Sequence, residues 1–189
     1  MPTKFPVARS SELLNPSLDG SLDAQRIISL VPVRPHELIG DIGAGPGALA
    51  IPFAKYTFDG KVFAIDVQKG MLELVGKRAS ELNLGNIELV VSTESKIPLE
   101  DGVLDGEILA CVLNEATRPK SLLKESLRLL RKGGWAAVIE WHKRETEHGP
   151  PLKSRLSPEE IVEIAAGLGL RKESLRSVQD DRYLLLLRK

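Results

Sequence analysis

Apolar residues recur along this chain at two alternating periods, and the alternation predicts its elements. Short, nearly continuous apolar runs fall at 35–42, 61–66, 87–91, 103–111 and 135–141. Each is bounded by turn residues, as expected of strands buried on both faces. Between them, apolar positions three or four residues apart predict helices over 47–56, 69–82 and 119–130. Pro52 interrupts the first of these, which predicts a kink or a tight first turn. Gly133-Gly134 reads as the cap that ends the third. An earlier helix over 23–31 rests on Ala24, Ile27, Ile28 and Val31 and stops at Pro32.

After residue 141 the pattern changes. Residues 142–154 are polar and proline-rich, the composition of an ordered loop over a cleft. Ser157-Pro158-Glu159-Glu160 has an N-cap serine, a proline at the first helical position and acids in the first turn, and predicts a helix to about residue 168. Two strands follow, over 171–178 and 182–187, joined by Gln179-Asp180-Asp181 as a hairpin. Strands alternating with helices predict an α/β class with a doubly wound, mostly parallel seven-stranded sheet and a C-terminal antiparallel hairpin. Residues 1–22, with Pro2, Pro6 and Pro16, read as a lead-in segment, and 23–189 as one domain.

Composition narrows the function classes. The 26 basic and 26 acidic side chains cancel, which argues against nucleic-acid binding driven by bulk charge. Cys111 is the only cysteine, so no intrachain disulfide can form. Met1 to Ser10 lacks the apolar core of a signal peptide, and no run approaches the ~20 apolar residues of a membrane span. A cytoplasmic location is the expectation. His36, His142 and His148 lack ligand spacing, so no metal site is expected.

The chemistry concentrates in Ile39-Gly40-Asp41-Ile42-Gly43-Ala44-Gly45-Pro46-Gly47 and in the strand ending Ala64-Ile65-Asp66. A strand enters a glycine-rich turn, a helix follows, and the next strand ends on an acid that can accept from both ribose hydroxyls. Gly43, Gly45 and Ala48 formally fit the dinucleotide fingerprint, with Asp66 at a suitable distance. Asp41 two residues before the first glycine, and Gly47 at alternate spacing, point elsewhere, because an acid there can face a cationic ligand.

These segments, together with Ile97-Pro98-Leu99 and Leu130-Arg131-Lys132-Gly133-Gly134-Trp135, resemble the motifs of class I S-adenosylmethionine-dependent methyltransferases in order and spacing, over about residues 36–189. The tract from Glu140-Trp141-His142 to Gly149-Pro150-Pro151-Leu152, then Arg155 to Glu160, resembles a small prokaryotic branch related to the ubiquinone/menaquinone-biosynthesis type. The resemblance implies a Rossmann-like methyltransferase fold, S-adenosyl-L-methionine as cofactor and a small-molecule methyl acceptor. It implies that Gly43, Ala44, Gly45 and Gly47 pass beside the methionine part and that Asp41 receives its amino group. Asp66 would bind the ribose, Val67 the adenine face, and Glu94, supported by Ser92 or Thr93, the adenine amine. Cys111 would line the pocket floor through its backbone.

Methyl transfer to carbon, oxygen or nitrogen needs a base only when the acceptor must lose a proton. Glu115, past the fourth strand, and His142, past the fifth, are the catalytic candidates. Asn114 stands where the resembled branch commonly has histidine, and Asn cannot take a proton. Arg155 could bind an anionic acceptor or pair with Glu140 or Glu145. Two other functions compete: a non-catalytic protein binding S-adenosylmethionine or S-adenosylhomocysteine, and an NAD-dependent oxidoreductase. A second subunit, as a homodimer, or residues 1–22 would complete the acceptor site.

Overall fold

The computed structural model describes residues 4–14 and 22–189. The parallel core is built from β1 (Leu38–Ile42), β2 (Lys61–Asp66), β3 (Ile87–Val91), β4 (Leu104–Ala110) and β5 (Leu130–Trp141). The helices are α1 (Ala24–Leu30), α2 (Ala50–Tyr56), α3 (Lys69–Glu81), α4 (Pro119–Leu129) and α5 (Pro158–Ala166). The C-terminal hairpin is β6 (Arg171–Ser177) and β7 (Arg182–Arg188). The seven strands lie in the order β3-β2-β1-β4-β5-β7-β6, with β7 antiparallel to both neighbours.

Helices cover both faces because the strands are apolar on both. Ile27 and Ile28 of α1, Phe53 and Ala54 of α2 and Leu72 and Val75 of α3 pack on Ile39, Val62 and Ile108. Leu123 and Leu127 of α4 and Ile161 and Ala165 of α5 pack on Ile42, Ile65 and Leu109. Local chemistry sets the helix starts. Asp23 accepts from the Arg26 amide at 3.0 Å, and Ser157 with Glu160 forms a reciprocal capping box. α2 begins at Ala50, so Pro52 falls in its first turn, where a missing N–H costs little.

Two elements differ from the sequence reading. Gly133-Gly134 does not cap α4, because β5 already begins at Leu130. The chain end takes the capping role: Lys189 Nζ donates to the Leu127 and Leu130 carbonyls at 2.7 and 2.6 Å, a cation at a helix C-terminus. Gly133 and Gly134 instead exchange backbone hydrogen bonds with Lys189. The lead-in is also not all loop, since Val7–Leu14 forms a 3-10 helix. The part of the lead-in over 15–21 lies outside the described residues.

Candidate functional site

Strand tips make the site. β1, β2, β3 and β4 end side by side, and each passes directly into a turn with polar or glycine residues. Gly43, Gly45 and Gly47 have φ of 75°, 52° and 83°, left-handed values that side chains disfavour. The turn after β1 is tied to β2, with the Gly43 and Ala44 amides donating to the Ile65 carbonyl at 2.8 and 3.0 Å. A Cβ on Gly43 would meet Val112 Cγ2 at 2.7 Å, so this turn and the one after β4 approach closely.

Two acids sit at this edge. Asp66 is buried, and its carboxylate accepts from the Gly45 amide at 2.9 Å and the Gln68 amide at 2.8 Å. Asp41 is 2% exposed, and its Oδ2 has no hydrogen-bond partner among the described residues. Burial pushes Asp41 up to about 7, against the pull of the Ala50 amide, while the Asp66 charge adds to the rise. A cation brought to Asp41 would reverse that shift.

Two adjoining cavities open along the strand tips. The inner one is lined by Gly43, Gly45, Asp66 and Val67, by Ser92, Thr93 and Glu94, and by Cys111 and Glu115. The outer groove takes in Asp41, Ala44, Trp141 and the loop over 148–156. Among the described residues Glu115 is the one carboxylate lining both. Burial raises its pKa, the Phe5 amide lowers it through a 3.2 Å hydrogen bond to Oε2, and the Asp66 charge raises it again. Glu94 is drawn the other way. Partial burial raises it, but Lys4 at 3.1 Å and the Thr117 amide at 3.1 Å outweigh this and leave it below the usual carboxylate range. The Thr93 hydroxyl is engaged within its own turn, accepting from the Lys96 amide at 3.0 Å.

Two sequence candidates stand away from the cavities. Gly47 faces the helices: a Cβ there would lie 3.2 Å from Val75 Cγ2 and 3.3 Å from Ile51 Cγ1. His142 packs its ring 5.4 Å from that of Tyr183 and lines neither cavity, and burial followed by the Arg144 charge lowers its pKa. Cys111 has φ 55°, and burial with the Glu140 charge pushes its thiol up to about 12, which disfavours the thiolate. Among the described residues Arg155 makes no ion pair with Glu140 or Glu145. Its guanidinium gathers loop oxygens instead, among them the Pro150 carbonyl at 2.9 Å, the Arg144 carbonyl at 2.8 Å and the Thr146 hydroxyl at 2.7 Å.

Sequence reasoning did not single out Lys4, Phe5 or Gln68. Lys4 and Phe5 line both cavities, and Gln68 Nε2 donates to the Phe5 carbonyl at 3.1 Å. Their only signal was an aromatic residue in a segment without apolar periodicity. Glu140 carried a clearer signal, an acid inside an apolar strand.

With this geometry in hand, comparison with known proteins is specific. A family model described as a methyltransferase domain matches residues 40–138. The ubiquinone/menaquinone biosynthesis C-methyltransferase of Azotobacter vinelandii is 30% identical over 142 residues, covering 72% of this chain and 56% of the relative. That of Ectopseudomonas mendocina is 31% identical over 155 residues, covering 79% and 59%. The chain thus spans less than two thirds of the length of these two relatives. The structure of a SAM-dependent methyltransferase from Aquifex aeolicus superposes with a TM-score of 0.90 at 28% identity, covering 98% of this chain and 99% of that one. The cyclase SpnF superposes with a TM-score of 0.77 over 88% of this chain and 79% of its own, and at 17% identity that likeness concerns the fold alone.

Proposed function

The chain belongs to the methyltransferase domain family, and from that membership we propose that it transfers a methyl group from S-adenosylmethionine to a small-molecule acceptor. The observation that carries this reading is Asp41: a buried carboxylate with an oxygen unpartnered among the described residues, beside a turn of left-handed glycines. A cationic ligand end satisfies that oxygen, whereas the pyrophosphate of a dinucleotide would be repelled by it. The residues therefore fit S-adenosylmethionine better than NAD.

In this reading Asp41 receives the amino group, and Gly43, Ala44 and Gly45 pass beside the methionine part. Gly47 supports them by packing on α3. Asp66 binds the ribose with the lone pairs left free by Gly45 and Gln68. Val67 meets the adenine face, Glu94 with Ser92 or Thr93 its amine, and Cys111 forms the floor. When bound, the cofactor supplies a methyl group already activated by its sulfonium. The chain's own work is to orient the acceptor, exclude water and, for an acidic acceptor, take up its proton. Glu115 suits the last task, since it lies where the two cavities join and burial raises its basicity. His142, which lines neither cavity, is not assigned that task.

Lys4, Phe5, Pro6, Arg9, Glu12 and Leu13 line the outer groove, which supports the alternative in which the lead-in helps to wall the acceptor site. No described helix is long and apolar enough to cross a membrane. A cytoplasmic setting fits a sequence whose single cysteine leaves no intrachain disulfide to form.

Asp66 provides the test. Asp66→Ala should weaken S-adenosylmethionine binding by about a hundredfold, the loss of a pair of hydrogen bonds to a charged group. The far-UV circular dichroism should stay unchanged. Unaltered affinity would remove the ribose assignment.

A further inference from the structure

One buried carboxylate at the sheet edge has no part in that mechanism. Glu140, the penultimate residue of β5, is fully buried and is given over to the turn that follows β4. Its Oε1 accepts from the Leu113 amide at 2.9 Å and the Asn114 amide at 3.3 Å. Its Oε2 accepts from Asn114 Nδ2 at 2.8 Å. The same Nδ2 donates to the Cys111 carbonyl at 2.9 Å. Asn114 therefore links the acid of one strand to the strained residue of the next, since Cys111 is left-handed at φ 55°.

This arrangement is costly for a fold that needs only packing. Burial pushes Glu140 up to about 7, and the Asn114 side chain and the turn amides only partly offset that. An apolar side chain would fill the space without desolvating a charge. What the acid adds is a fixed shape for the 111–115 turn, which would not hold a left-handed cysteine unaided.

The strand order shows which ligand end that turn faces. The tips run from β3 through β2 and β1 to β4. A ligand with its ribose at Asp66 and its base toward the residues after β3 must run its other end across the glycine turn toward β4. There the two turns touch, Gly43 against Val112. We propose that Glu140 is a positioning residue that, through Asn114, holds the Cys111 turn against the glycine turn as the wall for the amino-acid half of the cofactor. The proposal rests on the S-adenosylmethionine reading above.

Calorimetric titration of the full chain with two ligands tests it. S-adenosylhomocysteine carries the amino-acid end, and methylthioadenosine keeps the adenosine and the sulfur without it. Glu140→Gln places an NH2 against Asn114 Nδ2, and Asn114→Ser removes the link itself. Each should lower affinity for S-adenosylhomocysteine by about tenfold or more while methylthioadenosine stays within about twofold of wild type. Unchanged affinity for S-adenosylhomocysteine overturns the proposal. So does an equal loss of both ligands, the mark of a loosened fold. If Glu140→Gln does not fold, Asn114→Ser decides by the same comparison. A wild-type protein that binds neither ligand overturns the cofactor reading, and this inference with it.

Discussion

Asp41, Glu107 and Glu140 are buried within the sheet, and each is pushed upward by loss of solvent. Asp41 lines the outer groove and Glu140 holds a turn, whereas Glu107 does neither. It is fully buried on the α4 side of β4, and neither oxygen has a hydrogen-bond partner of normal geometry among the described residues. Burial takes it from 4.5 to about 8, with Ser126 and Lys189 pulling the other way. Between those two values the folded chain holds a proton that the unfolded chain has released. Stability therefore falls as pH rises through that window. Glu107→Gln removes this contribution, so its melting temperature should fall less than that of wild type between about pH 5 and about pH 9. Asp41 and Glu140 keep some slope of the same sign. Identical slopes in the two proteins would mean that Glu107 is solvated or paired. Asp66 could be singled out in the sequence because it ends an apolar strand, next to a glycine turn. Glu107 and Glu140 lie inside apolar runs, where the pattern shows burial but not the partner supplied by another strand or helix.

The lead-in shows what an element adds. Lys4 pairs with Glu94, the Phe5 amide donates to Glu115, and Gln68 holds the Phe5 carbonyl. Val7 lies against Gly70 of α3, 3.4 Å from where a Cβ would stand. All three polar anchors therefore fall on residues at or beside the inner cavity. Few of these contacts are deeply buried, so the segment can move at small cost. Deleting residues 1–14 should raise the dissociation rate of S-adenosylhomocysteine by about tenfold while leaving the melting temperature near that of wild type. An unchanged dissociation rate would show that the segment does not cover the ligand. This element was hard to read from sequence because its contacts are polar and distant along the chain, and it has no apolar period. The strands and helices of the sheet were legible because their apolar spacing alone settles which faces are buried. Gly133-Gly134 misled for a related reason: the hydrogen bonds that hold it in β5 come from Lys189, more than fifty residues away.

At the scale of the molecule, function follows from the order of the strands. β1 lies between β2 and β4, so the glycine turn lies between the Asp66 tip and the Cys111 turn. Parallel strands bring these tips to one edge, and helices on both faces leave that edge as the open crevice. The hairpin of β6 and β7 extends the sheet beyond β5, and the 148–156 part of the loop after β5, gathered around Arg155, forms one wall of the groove. The nature of the cofactor was legible in the strand-tip residues, but the acceptor was not, because the outer groove, its proposed site, is assembled from the lead-in, the turn after β4 and this loop. The most direct measurement is a parallel calorimetric titration of the purified protein with S-adenosylmethionine, S-adenosylhomocysteine and NAD. Binding of the first two without the third is the predicted result. Binding of NAD alone would contradict the assignment of Asp41 and the glycine turn to a cationic ligand, and with it the proposed methyl transfer.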